Sequence, residues 1–324
     1  MQSQGEFDLI AQYFKRPAPS GMLGIGDDCA LLSPAQGWDL AVSTDMLVEG
    51  RHFFADGDPR LLGHKALAVN LSDLAAMGAR PLACTLAISL PRVDADWLQA
   101  FADGFHALSR DAHCPLIGGD TTGGADQIIL SITVMGEVRR HQALRRAAAR
   151  LGDDLWVSGT LGAADIALRL MLGSLPPDPA RLALCRNALE APMPRLKLGR
   201  YLAGVAHAAI DISDGLLQDL GHLLDASQCA ADLWLDFLPA HAALQGLDEA
   251  VRRDALLAGG DAYELCFAAH PRRREQIDTL SRQLALPITR VGTLRSGSGL
   301  RVLDAQGQEV SIQRRGFDHF AAPL

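Results

Sequence analysis

The apolar residues of this chain switch repeatedly between the two-residue alternation of a strand and the three-to-four-residue spacing of a helix. They do so on both sides of a basic, alanine-rich break at His141–Arg150. This is the signature of α/β layering with crossover connections. Before the break, Asp39–Ser43 and Leu82–Leu90 read as strands, Pro59–Met77 as a helix, and further strands are expected around Leu116 and over Ile128–Val138. A helix over Asp96–Ala112 would stack Trp97, Phe101 and Phe105 at i, i+4 and i+8. Asp58 is placed to cap a helix that Pro59 begins, and Gly78 with Pro81 to end it.

After the break, Leu155–Ser158 reads as a strand, Ala163–Leu172 and Ala180–Leu189 as helices, and Ile210–Asp214 as the end of another strand. A length of 324 residues suits two cores better than one. The expectation is two α/β domains of the α+β type, residues 1–148 and 149–324, with the second completing an active site begun by the first. Met1–Phe14 reads as an amphipathic helix with Phe7, Ile10, Ala11 and Phe14 on one face, and not as a signal peptide.

Composition narrows the class. No apolar run approaches the roughly 18 to 20 residues of a membrane span, and a net charge of −8 argues against a nucleic-acid partner. The six cysteines lie at least thirty positions apart without metal or redox spacing, so they read as reduced, buried residues of a cytoplasmic protein.

The acid that matters is a subset of carboxylates beside Gly, Ser or Thr: Asp27, Asp28, Asp45, Asp73, Asp120, Asp211 and Asp214. Any one of them could be a turn former or helix cap. Together, in one cleft, they would raise one another's pKa unless cations neutralised them. With the hydroxyls of Ser43, Thr44, Ser72 and Ser213 beside them, the donors are all oxygen, a set that suits Mg²⁺. Gly24-Ile25-Gly26, Gly118-Gly119 and Gly123-Gly124 allow close backbone approach to a phosphate. Neither a P-loop nor a protein-kinase loop is present, so ATP would be held mainly through metal. Asn70–Asp73 precedes Gly118-Gly119-Asp120 by the same 47 residues that separate Asp211–Asp214 from Gly259-Gly260-Asp261, a spacing that leaves duplication and chance both open.

The strings Gly24–Leu32, Ser43-Thr44-Asp45 with His52-Phe53, Lys65–Gly78, Gly118–Thr121, Ile210–Leu216, Gly259-Gly260 with Tyr263-Glu264-Leu265, and Gly316–Phe320 resemble, in order, those of the thiamine-monophosphate kinases. The likeness runs from Gly5 to Phe320. Aminoimidazole ribonucleotide synthetase and selenophosphate synthetase share the Asp-rich segments and Gly-Gly-Asp.

The resemblance implies ATP-dependent phosphorylation of thiamine monophosphate to thiamine diphosphate, several Mg²⁺ ions, and a homodimer formed by pairing N-terminal sheets. It implies Asp28, Ser43, Thr44, Asp45, Asp73, Asp120, Asp211 and Asp214 as metal ligands, with the role of Asp27 open. Gly119, Asp120, Arg146 and Ser213 would contact ATP, and His52, Asp261 and Phe317 the thiamine substrate. Because the acceptor is already a phosphate oxygen, direct in-line transfer without a general base is expected.

One departure stands out. Where the family reads Gly-Gly-Glu-Asp-Tyr-Glu-Leu, this chain has Asp261-Ala262, one carboxylate shorter by a methylene and its acidic neighbour absent. Two other readings remain at this level: a relative using ATP on another acceptor, and a non-catalytic nucleotide or metal binder. Selenide chemistry is disfavoured, because the first cysteine, Cys29, falls inside the acidic motif.

Overall fold

The computed structural model describes residues 9–17, 34–124, 126–312, 314, 316 and 317. It divides into two compact units, Met1–Leu74 with Ala79–His141, and Ala75–Gly78 with Gln142–Leu324.

In the first unit, β1 (Trp38–Val48), β2 (Arg80–Leu90), β3 (Leu116–Gly123) and β4 (Ile129–Arg139) form one sheet in the order β1-β4-β2-β3. The helix α1 (Pro59–Ala76) precedes β2. The pair β2 and β3 is parallel and joined by α2 (Ala95–Asp111), the crossover that parallel pairing requires, whereas β4 is antiparallel to both β1 and β2.

The starts of both helices are capped by side chains. Asp58 accepts from Arg60 N at 2.8 Å, and Asp94 accepts from Trp97 N at 3.1 Å. On α2 the expected aromatic stack is present, with Trp97 and Phe101 rings 5.1 Å apart and Phe101 and Phe105 rings 6.2 Å apart. Phe101 and Phe105 are fully buried, each contributing about 1.5–3 kcal/mol by transfer from water. The two helices cross at glycines: a Cβ on Gly63 would lie 2.0 Å from Phe101 O, and one on Gly104 1.8 Å from Arg60 O. Within the expected N-terminal helix the described stretch Ile10–Phe14 is a π-helical turn. Its Tyr13 and Phe14 are buried, and the Tyr13 carbonyl meets His106 Nε2 at 3.1 Å.

The second unit is built on a six-stranded sheet in the order β10-β7-β9-β5-β8-β6. Its strands are β5 (Asp154–Ser158), β6 (Ala208–Ile212), β7 (Ala230–Trp234), β8 (Glu264–Ala269), β9 (Ile288–Arg295) and β10 (Gly299–Leu303). All neighbours are antiparallel except β7 and β10. The helices of this unit are α3 (Ala163–Met171), α4 (Pro179–Glu190), α5 (Leu196–Leu202), α6 (Leu216–Ser227), α7 (Glu249–Ala258) and α8 (Arg274–Leu284). Every residue of β5, β6 and β8 is buried, and Trp156 stacks on Phe267 at 6.3 Å in the core.

An ion pair between half-buried Arg195 and buried Glu264 marks where β8 begins. Arg195 donates to both oxygens of Glu264, and Glu264 also accepts from Ser158 Oγ at 2.5 Å. The five described cysteines are all buried and unbridged. Among the described residues no helix is long and apolar enough to cross a membrane.

Candidate functional site

In the first unit the predicted acids lie inside regular elements: Asp45 within β1, which runs on to Val48, and Asp73 in the last turn of α1, which runs to Ala76. Strand alternation puts Ser43 and Asp45 on one face of β1. There the Ser43 hydroxyl donates to Asp73 Oδ2 at 2.5 Å, and the Asp45 amide donates to Asn70 Oδ1 at 2.9 Å. Asn70 is fully buried and is itself held by Ala66 O at 3.0 Å. Two turns of α1 thus fix two residues of β1.

The same alternation sends the Thr44 side chain to the opposite face, where its hydroxyl pairs with Thr133 at 2.8 Å. As a side-chain ligand alongside Ser43 and Asp45, Thr44 is therefore misplaced, and only its carbonyl could share their role. His52 Nδ1 accepts from Val48 N at 3.0 Å, so a neutral ring carries its proton on Nε2.

Asp120 sits on β3, at the other edge of the sheet. The register runs from Asp45 through Ile132 and Leu86 to Gly119, so Asp120 is three strand spacings from Asp45, roughly 14 Å. One ion cannot bridge that distance. Gly119 has φ +153, and a Cβ there would lie 1.9 Å from Leu86 O; only glycine brings β3 this close to β2.

In the second unit the turn after β6 carries Ser213 and Asp214, and Asp211 is buried in β6 itself. The organising residue is one that sequence reasoning passed over. Asp219, 3% exposed in the first turns of α6, accepts from the amides of Ser213, Asp214 and Gly215 at 3.1, 3.1 and 3.0 Å through a single oxygen. Burial pushes its pKa up to about 7, the charges of Asp211 and Asp214 adding to the effect and the Gly215 and Asp214 amides opposing it.

The neighbouring loop is latched to the same turn. The Asp261 amide donates to Ser213 O at 2.7 Å and the Tyr263 amide to Ile212 O at 2.8 Å. Both residues are left-handed, with φ +58 and +48, a conformation that costs roughly 1–2 kcal/mol for an L side chain. The Tyr263 hydroxyl donates to Asp261 Oδ1 at 3.2 Å. Phe317 lies against this turn too, its amide donating to Asp214 O at 2.9 Å. Arg146 is exposed, and its carbonyl accepts from Ser227 Oγ at 2.5 Å.

Asp27 and Asp28 lie outside the described residues. Among the described residues no three Asp, Glu, His or Cys side chains converge as a preformed metal cage. The donors that do gather are oxygens, most of them from carboxylates, a set that fits a hard cation completed by water and phosphate oxygens. Asn70 and Tyr263 had no distinguishing signal beyond falling within the motif strings, and Asp219 lies outside those strings altogether; each acts on a partner remote in sequence or through backbone.

Residues 26–138 match the AIR synthase related protein, N-terminal domain family. A thiamine-monophosphate kinase of Salmonella typhimurium is 43% identical over 326 residues, covering 98% of this chain and 99% of the relative. The crystal structure of the thiamine-monophosphate kinase of Stenotrophomonas maltophilia K279a is 49% identical, with a TM-score of 0.83, and covers 90% of this chain and 93% of that one. The structure of AaThiL complexed with AMPPCP and TMP has a TM-score of 0.78 at 28% identity, with 89% of each chain covered.

Proposed function

The chain belongs to the thiamine-monophosphate kinases, and from that membership we propose a residue-level account of how it works. It is an ATP-dependent phosphotransferase that converts thiamine monophosphate to thiamine diphosphate. The observation that carries this reading is near-full-length identity to such kinases.

On the first unit we assign Ser43, Asp45, Asp73 and Asp120, with the Thr44 carbonyl, to magnesium, and Gly119 and Asp120 also to ATP. Asp28 is assigned to magnesium by resemblance alone. On the second unit Asp211 and Asp214 are assigned to magnesium, and Ser213 and Arg146 to ATP. The crowding of Asp211, Asp214 and Asp219 supports the assignments on the second unit, since it concentrates negative charge that a divalent ion would relieve, and on the first unit the Ser43 hydroxyl orients the Asp73 carboxylate. Magnesium, when bound, neutralises phosphate charge and holds ATP and acceptor for in-line attack.

The remaining work belongs to positioning. Asn70 and Asp219 fix the backbones that present Asp45, Ser213 and Asp214, so little reorganisation is needed when substrate arrives. His52, Asp261 and Phe317 are assigned to the thiamine moiety; an aromatic face suits the cationic thiazolium ring. The acceptor phosphate oxygen is already nucleophilic near neutral pH, so no side chain need remove a proton.

A homodimer is part of the proposal. Strand β1 is the edge of its sheet and exposes Leu40, Val42 and Met46 along one face, an apolar stripe suited to covering by a second copy. We place the reaction in the cytoplasm, where ATP is available. The test is ATP consumption against a panel of thiamine monophosphate, thiamine and ribonucleotides, with sedimentation for the dimer. Turnover restricted to thiamine monophosphate is the expected result; turnover only with a ribonucleotide would sink the assignment.

A further inference from the structure

The segment that carries Phe317 is clasped to the Asp214 turn, and one side chain closes the clasp. The Gln218 amide nitrogen donates to Asp214 Oδ2 at 3.1 Å and to Phe317 O at 2.9 Å. Both neighbours are acceptors, so only the nitrogen end of the amide satisfies them, and its two hydrogens match the two oxygens. That donor bridges a carboxylate and a carbonyl. The Phe317 amide returns a bond to Asp214 O at 2.9 Å.

Gly316 makes the close approach possible: a Cβ there would lie 2.5 Å from Gln218 Oε1 and 2.9 Å from Asp214 O. Upstream, Arg314 reaches Asp254 at 3.4 Å and Asp165 at 3.6 Å, so the segment is tethered at a second point in the same unit. Asp219 holds the Asp214 backbone independently through its amide bonds. The turn therefore keeps its shape without Gln218, whereas the Phe317 segment loses one of its ties.

We propose that Gln218 is a positioning residue for the acceptor, setting the Phe317 segment against the Asp214 turn so that thiamine monophosphate binding depends on it and ATP binding does not. The proposal rests on the reading of Phe317 as a thiamine contact.

The test compares full-length Gln218→Met, Gly316→Ala and Phe317→Ala. Each is assayed by steady-state kinetics in both substrates, by calorimetric binding of thiamine monophosphate alone, and by thermal melting. Gln218→Met keeps the length of the side chain and removes the donor. It should raise the KM for thiamine monophosphate about fivefold, as expected for losing the one of its two bonds that goes to Phe317 O, and weaken calorimetric binding to match. The KM for ATP should stay within about twofold and the melting temperature should not move. Gly316→Ala should show the same split. If Phe317→Ala raises the thiamine monophosphate KM and Gln218→Met does not, the proposal fails while Phe317 keeps its role. Unchanged kinetics in Phe317→Ala would overturn both. Equal shifts in both substrates would also overturn the proposal, since the clasp would then be general scaffolding.

Discussion

The Ser43 hydroxyl donates to the Asp73 carboxylate across 2.5 Å, tying the middle of β1 to the end of α1. The bond orients the carboxylate and leaves it lone pairs for other ligands. Replacing Asp73 with Asn keeps an acceptor for Ser43 and removes the charge. Asp73→Asn should therefore lose turnover by orders of magnitude at unchanged melting temperature. The check is kcat over a magnesium titration: near-normal turnover at saturating magnesium would remove Asp73 from the metal assignment.

Thiamine without its phosphate should not be an acceptor. The attacking oxygen, and whatever magnesium contacts that phosphate makes, are both missing from it. Product analysis with ATP and thiamine alone should show no phosphorylated thiamine, and robust formation would contradict the mechanism.

Asp261 tests the departure from the family motif. Its left-handed backbone and its bond from Tyr263 hold a short carboxylate where the family has a longer one. Activity should survive that shortening through a water bridge. Asp261→Glu should alter the KM for thiamine monophosphate by a modest factor, equivalent to about 1 kcal/mol, with ATP spared. Asp261→Ala should weaken the acceptor more clearly. Changes confined to ATP or magnesium dependence would move this loop to the nucleotide side.

Stability should carry an acid-side signature from Glu137. Burial raises the pKa of this side chain, but the bond from Arg80, the Ala35 amide at 3.1 Å and the Arg80 charge outweigh it and leave the carboxyl below its ordinary value. An unfolded chain therefore takes up the proton first as pH falls. The stabilisation is present above the ordinary carboxylate pKa and is lost as pH drops through the lower, folded value. Urea midpoints between pH 7 and pH 3 should fall more steeply for the wild type than for Glu137→Gln.

Much of the local structure was legible along the chain. The stack of Trp97, Phe101 and Phe105 followed from i, i+4 spacing, and α1 began where Asp58 and Pro59 signalled it. The glycine before Asp120 was read as allowing close backbone approach. In the fold that approach is to Leu86 of the neighbouring strand, a packing reason for the glycine.

The acidic motifs could be found by chemistry, but the partners that set them in place could not. Alternation alone puts Thr44 opposite Ser43 and Asp45, a consequence that becomes definite only once β1 is known to be continuous through all three.

What the sequence determined by itself is what depends on residue type and on neighbours within a few positions: element type, caps, the oxygen-rich donor set and kinship to a kinase family. Only the tertiary structure decided which residues hold the donors. Asn70 reaches Asp45 across 25 positions, Tyr263 and Asp261 latch to a turn some 50 positions away, and Gln218 meets Phe317 across 99. Such pairings are selected by burial and hydrogen-bond satisfaction over the whole sheet, and no local pattern encodes which distant partner will satisfy a given donor.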